Sequence, residues 1–241
     1  MRFLATIQYD GSKYSGYQKQ PGKKTIQTCL EEALETICHK KVLVHGSGRT
    51  DAKVHALGQK VHFDLDLSMT KEQVKKALNS LLPDDIYVKD IEEVSNNFHA
   101  RFDVQKKTYE YILNIGEYNP IEKDYVYQFN QELSISKMKE ASTYFLGTHD
   151  FRAFTTTDEK ESYERTIYEI TIEQSKQYII FTFTGNGFLR YMVRNIVGTL
   201  IEVGEGKREP KDISNILKSK DRKQAGKKAP ACGLYLKDVF Y

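Results

Sequence analysis

The segment Gly48-Arg49-Thr50-Asp51-Ala52-Lys53-Val54-His55-Ala56 sets one carboxylate between a guanidinium two residues before it and an ammonium two residues after it. Cations so close hold a carboxylate in its ionised form. An ionised, immobilised Asp51 suits an acid–base step or a covalent attack on a sugar carbon. The competing reading is a loop Asp that hydrogen-bonds its own backbone. His45, His55, His62 and His99 raise the question of a metal. No His-x-x-His or Cys-x-x-Cys pair accompanies them, and the carboxylates are scattered, so no metal is expected. Gly46, Gly48 and Gly58 flank the segment, but no Gly-x-x-x-x-Gly-Lys signature occurs, which argues against use of a nucleoside triphosphate. No cofactor is expected.

Two other side chains stand out by position. Arg194 lies at the edge of the most regular apolar stripe in the chain: Leu189, Met192, Val193, Ile196, Val197, Leu200 and Ile201. A charge there needs a partner or a path to water. Tyr109 alternates with Thr108 and Glu110, a strand pattern in which a ring most simply packs across strands.

The elements that must position these residues are read from periodicity. Phe3, Ala5, Ile7 and Tyr9 alternate with Leu4, Thr6 and Gln8, which predicts a strand. Ile26, Cys29, Leu30, Ala33, Leu34 and Ile37 fall at helical spacing behind Thr25 as N-cap. Short strands follow at 41–45 and around Val61, Phe63 and Leu65. Thr70 to Gln73 is a capping box opening a helix that Pro83 stops, and Ile86 to Val94 is a strand. The order is β-α-β-β-α-β, the split ferredoxin-like arrangement. The second half repeats it with insertions, through strands at 108–115, 125–129, 165–172, 178–184 and 234–241. Its helices contain Ile135 to Phe145 and the Arg194 stripe, and Pro210 opens a shorter one. The expected fold class is α+β: two such units, 1–103 and 104–241, with joined antiparallel sheets and a cleft between them. Asp51 falls in the long connection between the second and third strands of the first unit, a place that can be rigid and still reachable.

Bulk properties narrow the function classes. A chain of 241 residues, 39% hydrophobic and 29% charged, fits a soluble globular protein of one large or two small domains. No run is long enough to cross a membrane, and the start, Met1-Arg2-Phe3-Leu4-Ala5-Thr6-Ile7-Gln8, has no signal-peptide core. Cys29, Cys38 and Cys232 are odd in number and far apart, which fits reduced thiols in the cytoplasm. The net charge of +3 announces no polyanion, so its distribution matters more. The stretch from Lys218 to Lys228 carries six cations and one anion. Lys13, Lys19, Lys23 and Lys24 interleave with Tyr14 and Tyr17. Cations beside tyrosines suit backbone contact with base stacking, and solvated loops are the plainer reading of both clusters.

The Gly48–Ala56 segment resembles the active-site motif of the TruA family of tRNA pseudouridine synthases, Gly-Arg-Thr-Asp-Ala-Gly-Val-His. Further likenesses run along the chain in the family's order. They are Tyr9-Asp10-Gly11 with Gly16-Tyr17-Gln18, then Phe98-His99-Ala100-Arg101-Phe102 with Lys107-Thr108-Tyr109-Glu110-Tyr111-Ile112. Gly147-Thr148-His149-Asp150-Phe151, Phe188-Leu189 through Gly198, and Ala229-Pro230-Ala231 with Gly233-Leu234 follow. The resemblance implies a metal-free isomerisation of uridine to pseudouridine in the tRNA anticodon stem-loop, at positions 38 to 40, by a cytoplasmic homodimer. Asp51 is then the catalytic carboxylate, with attack on C1′ or C6, or proton abstraction leading to a glycal, all open. Arg194 resembles the family's active-site arginine that pairs with that carboxylate, and Tyr109 the tyrosine that stacks on the everted uracil. Arg49 is then expected to contact phosphate or fill the gap left by the base, with a salt bridge to Asp51 as the plainer reading. Lys19, Lys53, Lys220, Arg222 and Lys223 are candidate RNA contacts. The chain departs from the family pattern at Lys53, usually Gly, and at Tyr17, often a bulkier indole. If position 53 needs a positive φ, a lysine there costs roughly 1–2 kcal/mol. The alternative readings are a non-catalytic RNA-binding protein on a ferredoxin-like scaffold, a paralogue modifying a different RNA, and a metal-dependent hydrolase.

Overall fold

In the computed structural model, which describes residues 1–156 and 162–241, the chain alternates strands and helices throughout. In order these are β1 (Arg2–Tyr9), α1 (Ile26–Cys38), β2 (His45–Gly46), β3 (His55–Asp64), α2 (Lys71–Leu81), β4 (Ile86–Val94), β5 (Lys106–Asn114) and β6 (Tyr127–Gln128). They continue with α3 (Ile135–Thr143), β7 (Gly147–Asp150), β8 (Glu164–Ser175), β9 (Tyr178–Gly185), α4 (Met192–Gly204), α5 (Asp212–Ser219) and β10 (Leu234–Phe240). The class is α+β with mostly antiparallel strand pairing. The chain divides into two compact units, Met1–Gln105 with Tyr235–Tyr241, and Lys106–Leu234. None of its described helices is long and apolar enough to cross a membrane.

The first unit has the predicted β-α-β-β-α-β order. β1 pairs antiparallel with β3 on one side and β4 on the other, and β3 takes β2 on its far edge. Phe3 lies opposite Phe63 and Ala5 opposite Val61, so the apolar alternation read from the sequence becomes a packed core. The helices start where the side chains dictate. The Thr25 hydroxyl accepts from the Thr28 amide at 3.2 Å, and Thr70 with Gln73 closes the reciprocal capping box of α2. Asn79 then ties α2 to β4, donating to the Val88 carbonyl at 3.0 Å and accepting from its amide at 2.8 Å.

Several boundaries differ from the sequence reading; the strand expected at 125–129, for one, narrows to Tyr127–Gln128. The strand expected at 41–45 shrinks to His45–Gly46, preceded by chain whose Val42 and Val44 are buried without ladder pairing. The last strand was expected in the second unit, but Tyr235–Tyr241 belong to the first. The reason is a parallel pairing of β10 with β3, Tyr235 opposite His55 and Leu236 opposite Ala56. Tyr241 completes the attachment by donating its hydroxyl to the Ala100 carbonyl at 2.7 Å.

In the second unit β5 pairs with β9, β9 with β8, and β8 with β7, all antiparallel, while β6 runs parallel to β5. β7 starts at Gly147, whose φ of +89° turns the chain out of the α3 end. α3 packs on α4 and on β8. In α4 every residue except Glu202 is buried, which is why its apolar stripe was so regular.

Candidate active site

The Asp51 loop has almost no regular structure of its own, and the N-terminal loop holds it in place. Tyr17 donates its amide to the Thr50 carbonyl at 3.1 Å, and Lys53 donates its amide to the Tyr14 carbonyl at 3.3 Å. Within the turn, Val54 donates to the Asp51 carbonyl at 3.2 Å. These contacts need bare α-carbons. A Cβ on Gly11 would lie 1.9 Å from the Val54 carbonyl oxygen, and one on Gly16, at φ +101°, would lie 2.8 Å from the Thr50 carbonyl oxygen. Lys53 has a φ of +65°, so the position that carries Gly in the resembling family is left-handed here too, with a lysine bearing the strain.

Side chains clamp the loop from beneath. The buried Tyr9 hydroxyl bonds the Thr50 hydroxyl at 2.8 Å. Burial pushes the Tyr9 pKa up to about 12, so that hydroxyl stays protonated through the neutral range. Ser47 donates to Gln59 Oε1 at 2.6 Å, and Gln59 Nε2 donates to the Gly48 carbonyl at 3.1 Å. His55, at the loop's exit, accepts from the Gly11 amide at Nδ1 (3.1 Å), and the same nitrogen lies 3.2 Å from Asp10 Oδ1. Its ring stacks on Tyr235 at 4.7 Å. The result is a partly exposed Asp51 on a backbone fixed at Thr50, Lys53 and Val54, flanked by the exposed Arg49 and Lys53.

Arg194 and Tyr109 lie in the second unit. Arg194 is 9% exposed on α4. Its Nε donates to the Ala229 carbonyl at 2.8 Å, and Ala229 donates its amide back to the Arg194 carbonyl at 3.1 Å. A charge this buried is held by partners within the fold rather than by a path to water. Tyr109, half-buried on β5, meets Phe188 edge to face at 5.1 Å. Next to it on β5, Tyr111 is fully buried and donates its hydroxyl to the Pro230 carbonyl at 3.0 Å.

The candidate RNA contacts divide. Lys19 pairs with the buried Glu31 at 2.9 Å, and with Lys23 and Lys24 it lines an open groove of about 660 Å³. Tyr14 and Tyr17 are each 3% exposed, so neither ring is available to a base; Tyr14 gives its hydroxyl to Asp85. The Tyr17 hydroxyl is buried without a hydrogen-bond partner among the described residues, packed where Gly46 makes room. Lys220 lies 3.3 Å from Asp150. Arg222 is half-buried, and its two terminal nitrogens donate to Asn195 Oδ1 at 2.8 Å and the Ala225 carbonyl at 3.2 Å. Lys223 is exposed.

His45, His62 and His99 come together in the first unit, but ring on ring, with centroids 4.7 to 5.6 Å apart. Among the described residues no group of three His, Cys, Asp or Glu is placed to hold a metal ion. Cys29, Cys38 and Cys232 are free thiols.

The sequence profile of the tRNA pseudouridine synthase family matches residues 5–103 and 141–241. The tRNA pseudouridine synthase A of Anoxybacillus flavithermus is 50% identical over 243 residues, covering 100% of this chain and 98% of that protein. The chain belongs to the tRNA pseudouridine synthase family. A second relative, tRNA pseudouridine synthase A 1 of Bacillus cereus, is 46% identical over 245 residues, covering 100% of this chain and 98% of that protein. A solved H/ACA RNP bound to a substrate RNA aligns at 12% identity and a TM-score of 0.35, over 83% of this chain and 53% of that one, too weak to carry an argument. Arg49, Asp51 and Arg194 lie within the stretches the family profile matches, and Tyr109 lies between them.

Sequence reasoning missed several residues around these synthase motifs. Tyr9 and His55, which fix the Asp51 loop, read as a strand residue and as one of four histidines weighed for a metal. Tyr191 was passed over although it sits among cations, with Arg190 before it and Arg194 three residues later.

Proposed function

We propose that the chain isomerises uridine to pseudouridine in tRNA, in the anticodon stem-loop at positions 38 to 40. The reaction breaks the C1′–N1 bond, turns the uracil and joins C5 to C1′; the C5 hydrogen leaves and N1 gains a proton. Asp51 is the catalytic carboxylate. Tyr109 stacks on the everted base, a contact worth about 1–3 kcal/mol. Arg194 supplies a buried guanidinium to the reacting site, and Arg49 meets the RNA beside Asp51. Lys19, Lys53 and Lys223 are exposed cations that can meet phosphate. The working form is a symmetric homodimer in the cytoplasm, one subunit receiving the base while the other braces the tRNA.

The observation that carries this reading is the Asp51 loop. Glycines at 11 and 16, the Tyr9–Thr50 hydroxyl pair and Gln59 all act to hold one carboxylate still at the surface. A binding module gains nothing from fixing an acid where RNA phosphates must approach. The test is tritium release from tRNA labelled at uridine C5. Wild type should release tritium, and Asp51→Asn should release none above background while still binding tRNA. Undiminished release by Asp51→Asn would remove the proposed catalyst.

A further inference from the structure

Tyr191 precedes α4 with a φ of +63°, a backbone conformation an aromatic residue rarely adopts. Three cations gather on its ring: the Lys228 ammonium 3.9 Å from the centroid, the Arg190 guanidinium at 4.7 Å and the Arg194 guanidinium at 5.5 Å. Arg190 and Lys228 are exposed, and the ring is partly so.

The placement of Lys228 is built, not incidental. The segment 226–229 is strapped along α4. Gly226 donates its amide to Thr199 Oγ1 at 2.9 Å, Lys227 to Glu202 Oε1 at 2.8 Å, and Ala229 to the Arg194 carbonyl at 3.1 Å. The strap lies so close that a Cβ on Gly198 would fall 1.7 Å from the Lys227 carbonyl oxygen. A backbone anchored on both sides of Lys228 fixes where its side chain starts, beside the Tyr191 ring.

Arg190 and Lys228 both present exposed cationic ends beside this ring. What this cluster fits is a ligand carrying negative charge next to a flat face. A guanidinium fork matches two phosphate oxygens, an ammonium adds a point charge, and the phenol offers stacking to a ribose or base. We propose that Arg190, Tyr191 and Lys228 form a subsite for one phosphodiester of the RNA substrate, next to the Arg194 guanidinium on the same ring. The subsite rests on the reading that the chain works on tRNA.

The test separates the two. In the Asp51→Asn background, where binding is measured without turnover, tRNA affinity is titrated against KCl. Arg190→Gln and Lys228→Gln should each weaken binding about 3- to 10-fold near physiological salt and lower the log–log salt slope by about one. Arg190→Lys and Lys228→Arg should restore most of the affinity, and Tyr191→Phe should bind like the parent, with all melting temperatures unchanged. In the otherwise wild-type enzyme, Lys228→Gln should raise KM and leave kcat within about twofold. An Arg190→Gln/Lys228→Gln double variant with parental affinity and salt slope would overturn the subsite. If the wild-type protein releases no tritium yet the two substitutions still lower the salt slope, the isomerase reading fails and the subsite stands.

Discussion

Asp51 and Arg194 reach their positions by opposite routes. Asp51 sits on a loop without a ladder, fixed from outside by glycine contacts, a tyrosine hydroxyl and a glutamine amide. Arg194 sits on a helix buried almost all round, and there the external strap is recruited to the helix. The loop gives reach: its flanking cations are exposed and its carboxylate partly so. The helix gives a charge that cannot wander, because moving it would leave a buried guanidinium without its carbonyl. Both regions depend on a bare α-carbon at the contact, Gly11 in one and Gly198 in the other. Precision in either place therefore comes from backbone approach more than from side-chain packing.

The largest effects should come from filling those two notches. Gly11→Ala and Gly198→Ala each drive a methyl into a carbonyl oxygen, at 1.9 Å and 1.7 Å before relaxation. Each should lose about 3 kcal/mol of stability, read from the urea midpoint. Their functional signatures should differ. Gly11→Ala moves the Asp51 loop and should cut kcat at least tenfold with tRNA affinity kept. Gly198→Ala displaces the Lys228 strap and should weaken tRNA binding. Identical signatures from the two variants would erase the distinction between the regions.

A smaller effect separates the units by pH. In the first unit, burial, then the neighbouring His45 and His99 and the Arg2 guanidinium, lower the His62 pKa to about 4. Asp64 pulls the other way. The His62 Nδ1 accepts from the Ala100 amide at 3.1 Å, a bond that requires the unprotonated nitrogen. An unfolded histidine takes its proton near pH 6.5, so the unfolded chain binds more protons across the window from about 6.5 down to 4. Stability is therefore full above pH 6.5 and falls through that window, by an amount on the order of 2 kcal/mol. Hydrogen exchange at pH 7 and pH 4.5 should show the first unit losing protection while β5, β8 and β9 keep theirs. His62→Gln should flatten the difference. Equal loss in both units would place the acid sensitivity elsewhere.

Local signals carried much of this architecture, and the failures share one cause. Thr25, the Thr70–Gln73 box and the β1 alternation act within a turn or a strand, so their neighbours in sequence reveal them. β10 joins β3 through a pairing of residues far apart in the chain, and nothing in Leu234–Phe240 names its partner. Tyr14 and Tyr17 read as exposed beside lysines because a tyrosine has the same letter whether its hydroxyl meets water or Asp85. Arg222 lay in a run of cations, yet its two terminal nitrogens bond Ala225 and Asn195. The Asp51 segment stood out because its nine residues are consecutive in the chain. Tyr191 did not, because Lys228 comes to it from a distant loop over a glycine on α4.

The smallest effect makes the sharpest comparison, because the two regions share a backbone strain. Lys53 and Tyr191 both hold left-handed conformations, with φ of +65° and +63°. A non-glycine residue there costs roughly 1–2 kcal/mol, and glycine returns part of that gain through its floppier unfolded chain. Lys53→Gly and Tyr191→Gly should therefore each gain about 0.5 kcal/mol from the backbone alone. Lys53 is an exposed side chain on a turn whose geometry glycine satisfies equally well, so Lys53→Gly should gain that stability with kcat unchanged and tRNA affinity reduced at most about threefold. Tyr191 is the ring that three cations share, so its glycine variant should lose both the stabilising contacts and the RNA subsite, ending less stable and binding more weakly. Thermal melts and salt-titrated tRNA binding on the pair decide it. If the two variants behave alike, the strain at Tyr191 has no binding role and is only a feature of how α4 begins.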